Sequence, residues 1–149
     1  MDLDSPPQPR PDLDTAGFWE ATAGGRLALC RCTECGLWLH PPLRECRRCG
    51  GKTRFEPVSG RGTIYTYTVV RHPAVPGYLR QLPYVIAIVE LDEQAGLRLP
   101  TRLVDVEPEA VRVGQRAVAE IVALRGGEFR VPVFHLAGDG ERASPSGGG

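Results

Sequence analysis

The chain has 149 residues, 42% of them hydrophobic, and its 18 basic and 18 acidic side chains give a formal net charge of zero. This length fits one medium domain or two very small ones, and the composition is that of an ordinary globular protein. A zero balance argues against a dedicated nucleic-acid binder, whose affinity would rest on excess cations. No apolar run reaches the roughly 20 residues of a membrane span, and the N-terminal stretch lacks the apolar centre of a signal peptide.

The two ends of the chain are polar and rich in proline, serine or glycine. Residues 1–14 are MDLDSPPQPRPDLD, and residues 138–149 are GDGERASPSGGG. Segments of this composition bury too little apolar surface to order themselves. We therefore expect disordered tails over 1–14 and 138–149, on either side of a folded part over 15–137.

A short helix is predicted where the folded part begins. Asp14 or Thr15 can cap it, and Gly24-Gly25 can end it. Its body contains Phe18 and Trp19, and two adjacent large aromatics on so short a helix cannot both face one core. We expect one of them to pack on the strands that follow and the other to be left for a partner. Burial of both by loops is the open alternative.

Two Cys-x-x-Cys-Gly turns follow the helix, with Cys32 and Cys35 in the first and Cys46 and Cys49 in the second. Four thiolates from two tight turns suit the tetrahedral preference of Zn²⁺, and the glycine after each pair allows a positive φ. Two disulfides, or four unrelated buried cysteines, are the alternatives. We favour one structural Zn²⁺ per chain, in a closed site that holds structure and performs no chemistry.

Thiolates kept for a metal fit a reducing compartment, so we expect a cytoplasmic protein. The fifth cysteine, Cys30, is expected to be a small buried apolar residue rather than another ligand. Residues 26–54 carry seven basic side chains and two acidic ones. This local charge, next to Trp38, could receive phosphates, but we favour the interpretation that it balances the anionic zinc–thiolate centre.

Three short strands around the cysteines predict a rubredoxin-like zinc ribbon, which together with the helix occupies residues 15–58. From residue 59 onward the pattern is one of β-strands separated by turns. The continuous apolar run at 85–91 is typical of a strand buried on both faces. The five predicted strands of this second part are 63–70, 85–91, 97–103, 115–124 and 129–134.

A proline at the start of residues 107–111 predicts one helical turn between the third and fourth of these strands. Five strands with such an insertion follow the plan of an OB-fold barrel, here over residues 59–137. The predicted fold class is therefore mainly β: a short N-terminal helix and zinc ribbon, then a five-stranded OB-fold barrel. Because Pro132 has no amide to donate, the last strand is expected at or near a sheet edge.

Motifs for catalysis are missing from the sequence. It contains no G-x-S-x-G elbow, no P-loop and no Rossmann fingerprint. His40, His72 and His135 are far apart in sequence without an obvious nucleophile beside them, so we expect surface or packing histidines. The acidic stretch Glu90-Leu91-Asp92-Glu93 is expected to be a solvated turn. Nothing in the sequence supports an active site within this chain.

Several stretches, taken in order, resemble a known family. They are Phe18-Trp19-Glu20, the four cysteines, Ser59-Gly60-Arg61-Gly62-Thr63-Ile64-Tyr65-Thr66, Pro83-Tyr84 before a Val-Glu-Leu strand, and Val113-Gly114. The chain is similar over about residues 15–137 to the DUF35 family, the zinc-ribbon and OB-fold companions of thiolase-superfamily enzymes. It departs from the family at Arg47, where the second cysteine turn usually has proline, and at Gln115-Arg116, where a bulkier apolar residue is common.

The resemblance implies a non-catalytic scaffold subunit that binds a thiolase-like enzyme, such as a sterol-carrier-type thiolase, an aldolase or an acyltransferase. It also implies acyl-CoA at or near the shared interface, in a hetero-oligomer, with no membrane. Family members commonly dock through the ribbon and the N-terminal helix. Carried onto this sequence, the resemblance indicates partner contacts at Phe18, Trp19 and Trp38, and weaker CoA-phosphate contacts at Arg44, Arg47 and Arg48.

The long loop 71–82 is our candidate for a lid over an acyl chain, with His72, Tyr78 and Leu79 as its weakly indicated site residues. Two other functions stay open. A single-stranded nucleic-acid binder would use the same two folds, but it needs exposed aromatics with net positive charge, and the excess of basic residues lies mainly in the ribbon. A free-standing acyl-CoA-binding module or weak thioesterase is the third possibility. Nucleic acid is therefore the less favoured partner.

Overall fold

The computed structural model describes residues 5–72 and 75–138. The expected tails at 1–4 and 139–149 lie outside the described residues, as do residues 73–74 of the long loop. Within the described ranges, no helix is long and apolar enough to cross a membrane.

The N-terminal half consists of one helix and a small three-stranded sheet. Helix α1 spans Ala16–Ala23, with Thr15 before it and Gly24 after it, as predicted. The strands are β1 (Ala28–Cys32), β2 (Trp38–Leu39) and β3 (Thr53–Pro57), in the order β2-β1-β3 with antiparallel pairing. This is the predicted ribbon, and both cysteine turns extend from it.

The C-terminal half is a closed five-stranded barrel in the order β4-β5-β6-β8-β7. A short 3₁₀ turn at Pro108–Ala110 stands between the third and fourth of its strands, where the sequence predicted a helical turn. A second 3₁₀ turn at Leu79–Gln81 lies in the long loop. The strands are β4 (Arg61–Val70), β5 (Tyr84–Leu91), β6 (Arg98–Leu103), β7 (Arg116–Ala123) and β8 (Arg130–Leu136).

Strand β8 does not form a free edge, because it pairs with β7 along its length and with β6 at one position, Leu103 opposite Phe134. The prediction of an edge at Pro132 is therefore only partly right. The proline stands where the β6 side of the barrel makes no ladder pair, so its missing amide costs no hydrogen bond there.

Strand β5 corrects another expectation. Its residues alternate between buried and half-buried positions, with Val85, Ala87 and Val89 inside and Ile86 and Ile88 turned outward. A closed barrel covers only the inner face of each strand, so an apolar run here does not mean burial on both faces. The core contains Phe134 and Ile64 with the inner residues of β5 and β6.

The ribbon and the barrel share one apolar core. Leu27, Leu29 and Trp38 from the ribbon belong to the same buried cluster as the barrel residues. Gln94, in the turn between β5 and β6, accepts a hydrogen bond from the Trp38 amide at 2.9 Å and donates to the Trp38 carbonyl at 3.1 Å. The Gln94 side chain therefore pairs with the backbone of β2 as a neighbouring strand would, and it joins the ribbon to the barrel.

The described part of the N-terminal stretch, residues 5–14, packs on the barrel, contrary to the tail expected there. Pro6 is buried, and Gln8 Nε2 donates to the Arg125 carbonyl at 3.0 Å. A side chain at Gly77 would collide with the backbone at Ser5 and Pro6. Prolines have little conformational freedom to lose, so a proline-rich segment can be ordered by few contacts.

A four-cysteine centre and the surfaces around it

Each cysteine turn presents two sulfurs because its backbone folds back on itself. Gly36 donates to the Cys32 carbonyl at 3.2 Å, and Gly50 donates to the Cys46 carbonyl at 2.8 Å. Both glycines have positive φ, +75° and +73°, as the sequence predicted. The turns orient amides toward sulfur: the amides of Glu34 and Cys35 lie 3.4 Å from Cys32 Sγ, and matching contacts serve the second turn, from Arg48 to Cys46 and from Gly51 to Cys49.

The four sulfurs converge on one point. Cys32 and Cys49 are 3.5 Å apart at Sγ, Cys35 and Cys46 are 3.6 Å apart, and all four sulfurs lie within 4.8 Å of one another. A tetrahedral zinc–thiolate site, with bonds of about 2.3 Å, places its sulfurs about 3.8 Å apart. The cluster therefore fits a single Zn²⁺ with no position left for a water or a substrate. All five cysteines are free of disulfides, which removes the disulfide alternative.

The pKa values of these thiols also favour a bound cation. A backbone hydrogen bond from Leu37 lowers the pKa of Cys35 to about 6, helped by Arg48. Backbone hydrogen bonds, that from the Cys35 amide foremost, lower the pKa of Cys32. Although the Gly51 amide acts to lower it, the pKa of Cys49 is raised to about 12 by the neighbouring sulfurs of Cys32 and Cys35. Four thiolates this close cannot all ionise alone, and a divalent cation relieves their repulsion.

Cys30 lies outside this centre. It is 2% exposed and its thiol donates to the Leu43 carbonyl at 3.3 Å. The prediction that Cys30 is a buried apolar residue rather than a fifth ligand is confirmed.

The three candidate arginines of the ribbon have different surroundings. Arg44 Nε contacts Asp14 at 2.7 Å, and Arg48 Nη2 donates to the Cys35 carbonyl at 3.1 Å. The thiolate character of Cys35 raises the pKa of the Arg48 guanidinium. Arg47 is exposed. Arg48 thus balances the charge of the sulfur centre, which is the interpretation that the sequence favoured for these cations.

The candidate aromatic residues are less available than the sequence suggested. Trp38 is 6% exposed, with the Arg31 guanidinium 4.8 Å above its ring, so its assignment as a partner contact is wrong. Both residues of β2 are buried, and Trp38 belongs to the core that the ribbon shares with the barrel. Phe18 packs against the shared core, and Trp19 meets Phe129 of the barrel edge-on at 5.3 Å. Helix α1 therefore also joins the two halves, with both aromatics partly exposed.

The loop candidates are dispersed. Tyr78 lies 5.6 Å from the ring of Tyr84 on the barrel wall, Leu79 is 63% exposed, and His72 is exposed at the start of the loop. His40 is half-buried, and burial lowers its pKa.

Sequence reasoning missed two groups of polar side chains. His135 lies between two carboxylates, with Nδ1 3.3 Å from Asp105 and Nε2 against Glu120. Only the pairing of β7 with β8 brings Glu120 near His135, so no local motif announces the cluster. The expected solvated turn at 90–93 holds carboxylates with fixed partners: Glu90 pairs with Arg98, Asp92 with Arg116, and Glu93 with Ser59.

Sequence reasoning also missed a surface cleft beside α1 with two exposed leucines at its edge, which we call the Leu13–Leu43 face. Leu13 and Leu43 are 81% and 44% exposed, and both border a cleft of about 350 Å³ beside the N-terminus of α1. Its other lining residues are Asp14, Gly17, Arg44, Lys52, Thr53, Arg54 and Phe55. The only sequence signal for it is a leucine between two aspartates, Asp12-Leu13-Asp14.

Together, a four-cysteine ribbon and a closed five-stranded barrel define a zinc-ribbon and OB-fold protein. Two family models match the chain in turn: the ChsH2 rubredoxin-like zinc ribbon domain over residues 19–56 and the ChsH2 C-terminal OB-fold domain over residues 55–122. One chain of a solved structure described as an Ltp2-ChsH2(DUF35) aldolase is 34% identical, with a TM-score of 0.78 over 87% of this chain and 98% of that one. This chain belongs to the DUF35 family.

Curated relatives carry two kinds of description. A probable enoyl-CoA hydratase alpha subunit of Thermomonospora curvata is 36% identical over 135 residues, which are 88% of this chain and 40% of that protein. A DUF35 domain-containing scaffold protein of Methanocaldococcus jannaschii is 44% identical over 91 residues, 60% of this chain and 62% of that one. The chain therefore spans between two-fifths and three-fifths of the length of these two relatives.

Proposed function

We propose that this chain is a non-catalytic scaffold subunit that binds a thiolase-superfamily enzyme and helps to assemble its acyl-CoA site. The observation that carries the proposal is the match of both halves, in one arrangement, to the DUF35 chain of an aldolase complex. The description of the Methanocaldococcus jannaschii relative supports the scaffold role, and the enoyl-CoA hydratase description of the Thermomonospora curvata relative supports a partner that acts on acyl-CoA.

The role proposed for the metal is structural. Cys32, Cys35, Cys46 and Cys49 would hold one Zn²⁺, which supplies a fixed tetrahedral cross-link between the two turns. The residues of this chain stabilise the negative charge of the thiolates: backbone amides donate hydrogen bonds to the sulfurs, and the Arg48 guanidinium offsets the remaining charge. The ribbon so fixed keeps α1 and the Leu13–Leu43 face in place.

The docking surface we propose is that face, together with the exposed parts of Phe18 and Trp19. Two exposed leucines border this cleft, and Arg44, Lys52 and Arg54 line it with a single carboxylate, Asp14, so the lining carries a net positive charge. Apolar centres with polar rims are the common form of protein interfaces. The partner surface it fits is an apolar ridge with acidic neighbours.

Acyl-CoA is proposed to lie near this interface rather than in a site that this chain makes alone. Arg47, exposed beside the sulfur centre, is the ribbon cation best placed to reach a CoA phosphate, because Arg44 and Arg48 have partners within the chain. The loop with His72, Tyr78 and Leu79 remains our candidate for the acyl side.

Affinity capture tests the proposal. The full chain, zinc-loaded, is used to capture proteins from an extract of its source cells, with identification by mass spectrometry. We expect a thiolase-fold protein near one-to-one. Leu43→Asp should reduce its recovery about tenfold or more, because a charge in an apolar interface centre removes a hot spot.

Val113→Asp is the matched control, since Val113 is an equally apolar, 63% exposed residue on the barrel. It should leave recovery unchanged. Equal losses in both variants would contradict the proposed face. Capture of nucleic acid or ribosomal proteins in place of an acyl-CoA enzyme would contradict the proposed function.

A further inference from the structure

Two arginines on the outer face of β6 have opposite surroundings. Arg98 and Arg102 alternate with the inward residues of the strand. The cross-strand neighbour of Arg98 is Glu90, which contacts its Nε at 3.2 Å. The cross-strand neighbour of Arg102 is Ile86, which offers no charge. Within residues 5–72 and 75–138, no carboxylate pairs with Arg102, and its buried Nε has no hydrogen-bond partner.

The guanidinium of Arg102 is nevertheless held in place. Its central carbon lies 5.6 Å from the ring centre of Tyr78 and 5.6 Å from that of Tyr84. Ring faces attract a cation but leave its N–H groups free to donate. A buried donor without an acceptor is unfavourable, so such a group in a folded protein calls for an explanation.

The surroundings of Arg102 form a cleft. Two adjoining hollows of about 410 and 430 Å³ both have Arg102 in their walls, together with Gln81, Val122 and Val133. The first is mostly apolar and is also bordered by Tyr78 and by Pro6 and Pro7 of the N-terminal segment. The acidic residues of the second, Asp105 and Glu120, are already paired with His135.

We propose that Arg102 binds the oxyanion of a small molecule, a phosphate or a carboxylate, whose apolar part lies in the cleft against Tyr78 and Val131. The guanidinium fork matches either oxyanion in two-pronged geometry. Arg125 also lines the first hollow, where its Nη2 donates to the Gly77 carbonyl at 2.8 Å, and the rest of that hollow is mostly apolar. Such a cleft selects a ligand with an anionic group next to hydrocarbon. The proposal rests on the proposed function in one respect, that an acyl-CoA is among the ligands of this class.

NMR detection of the arginine Nε–Hε groups of the zinc-loaded full chain tests the site. Three probes are added separately: inorganic pyrophosphate, octanoate and octanoyl-CoA. We expect the Arg102 Nε–Hε signal to shift, and Arg102→Gln to weaken binding of the effective probe about tenfold or more. Arg98→Gln, the matched control on the same strand and face, should leave the affinity within about twofold.

The probes also identify the source of the anion. A shift with octanoate but not pyrophosphate assigns the site to free carboxylic acids. A shift with pyrophosphate and octanoyl-CoA but not octanoate assigns it to the phosphates of CoA. No shift of Arg102 with any probe would overturn the proposal, as would equal weakening by Arg98→Gln. Tighter binding of a ten-nucleotide oligothymidylate that depends on Arg102 would overturn it in favour of a nucleic-acid groove.

Zinc content and the thermal midpoint of Arg102→Gln establish that the variant is folded. The same variant should still capture the partner enzyme, because Arg102 lies outside the Leu13–Leu43 face. Loss of ligand binding with capture intact supports this site. Intact capture with no effect of Arg102→Gln on any probe contradicts the site while leaving the proposed function standing.

Discussion

The ribbon is much shorter than the barrel, and the two are stabilised in different ways. The buried cluster around the sulfurs contains Cys30, Cys32, Leu39 and Cys46 and little else, whereas the barrel encloses inner residues from all five of its strands. A module as small as the ribbon cannot bury enough apolar surface to fold alone, and small domains of this kind use a metal or disulfides instead. The comparison teaches that the ribbon depends on its sulfur centre and on the barrel beside it.

The same contrast exists in the range of the interactions. Each cysteine turn is closed by hydrogen bonds between residues four apart in sequence, such as Gly50 to Cys46. The barrel is closed by pairs that are far apart, such as Gly62 with Ala117 and Leu103 with Phe134. Four substitutions test this difference, and they follow in order of decreasing effect on stability.

Cys46→Ala should remove the metal and unfold the ribbon. Metal binding and folding are coupled in such sites, with apparent binding free energies of about 10–16 kcal/mol in zinc-finger peptides. We expect zinc content by elemental analysis to fall from one per chain to near zero, with loss of amide protection in β1–β3. Cys30→Ser, which keeps a donor for the Leu43 carbonyl, should retain the zinc. Retained zinc in Cys46→Ala would mean that the four-ligand assignment is wrong.

Trp38→Ala should weaken both halves at once, because this side chain belongs to the shared core. Removing a buried tryptophan costs about 3–5 kcal/mol. Urea unfolding should therefore show a lower free energy of unfolding for the barrel as well as for the ribbon. An effect confined to the ribbon would show that the two halves are stabilised independently.

Gln94→Ala removes the two hydrogen bonds that tie β2 to the barrel and leaves the sulfur centre untouched. We expect a loss of about 1–2 kcal/mol and faster hydrogen exchange at the Trp38 amide. Gln115→Ala is the matched control, since Gln115 also bridges two backbone groups, the Arg112 amide and the Ala110 carbonyl, but inside the barrel half. It should leave exchange at Trp38 unchanged. Faster exchange at Trp38 in Gln115→Ala, with none in Gln94→Ala, would show that Gln94 does not join the ribbon to the barrel.

Asp92→Asn should have the smallest effect, below about 1 kcal/mol at neutral pH, because its pairing with Arg116 is partly exposed. The hydrogen bonds from Arg116 lower the pKa of Asp92. A lowered folded-state pKa means that the contribution to stability is present above about pH 4 and is lost as the pH falls through the folded value. Carboxyl NMR titration should show the Asp92 pKa rising in Arg116→Ala; an unchanged pKa would contradict the pairing.

Much of the site could be predicted from the sequence because its information is local. The spacing of Cys32 from Cys35, and of Cys46 from Cys49, fixes two turns whatever surrounds them, and the glycines after them supply the required positive φ. In β6 likewise, successive side chains point to opposite faces of the strand, so the sequence predicts which of them point inward. These features require no knowledge of which distant strand lies alongside.

The tertiary structure decided what depends on distant partners. Trp38 looked like a docking residue until the barrel covered it, and Ile86 and Ile88 looked buried until the barrel closed with their face outside. The sequence alone does not distinguish Arg98 from Arg102. Only the pairing of β6 with β5 places Glu90 opposite Arg98 and Ile86 opposite Arg102. The physical reason is that turn geometry and strand alternation are properties of a short segment, whereas burial and charge pairing belong to the neighbours that folding brings beside it.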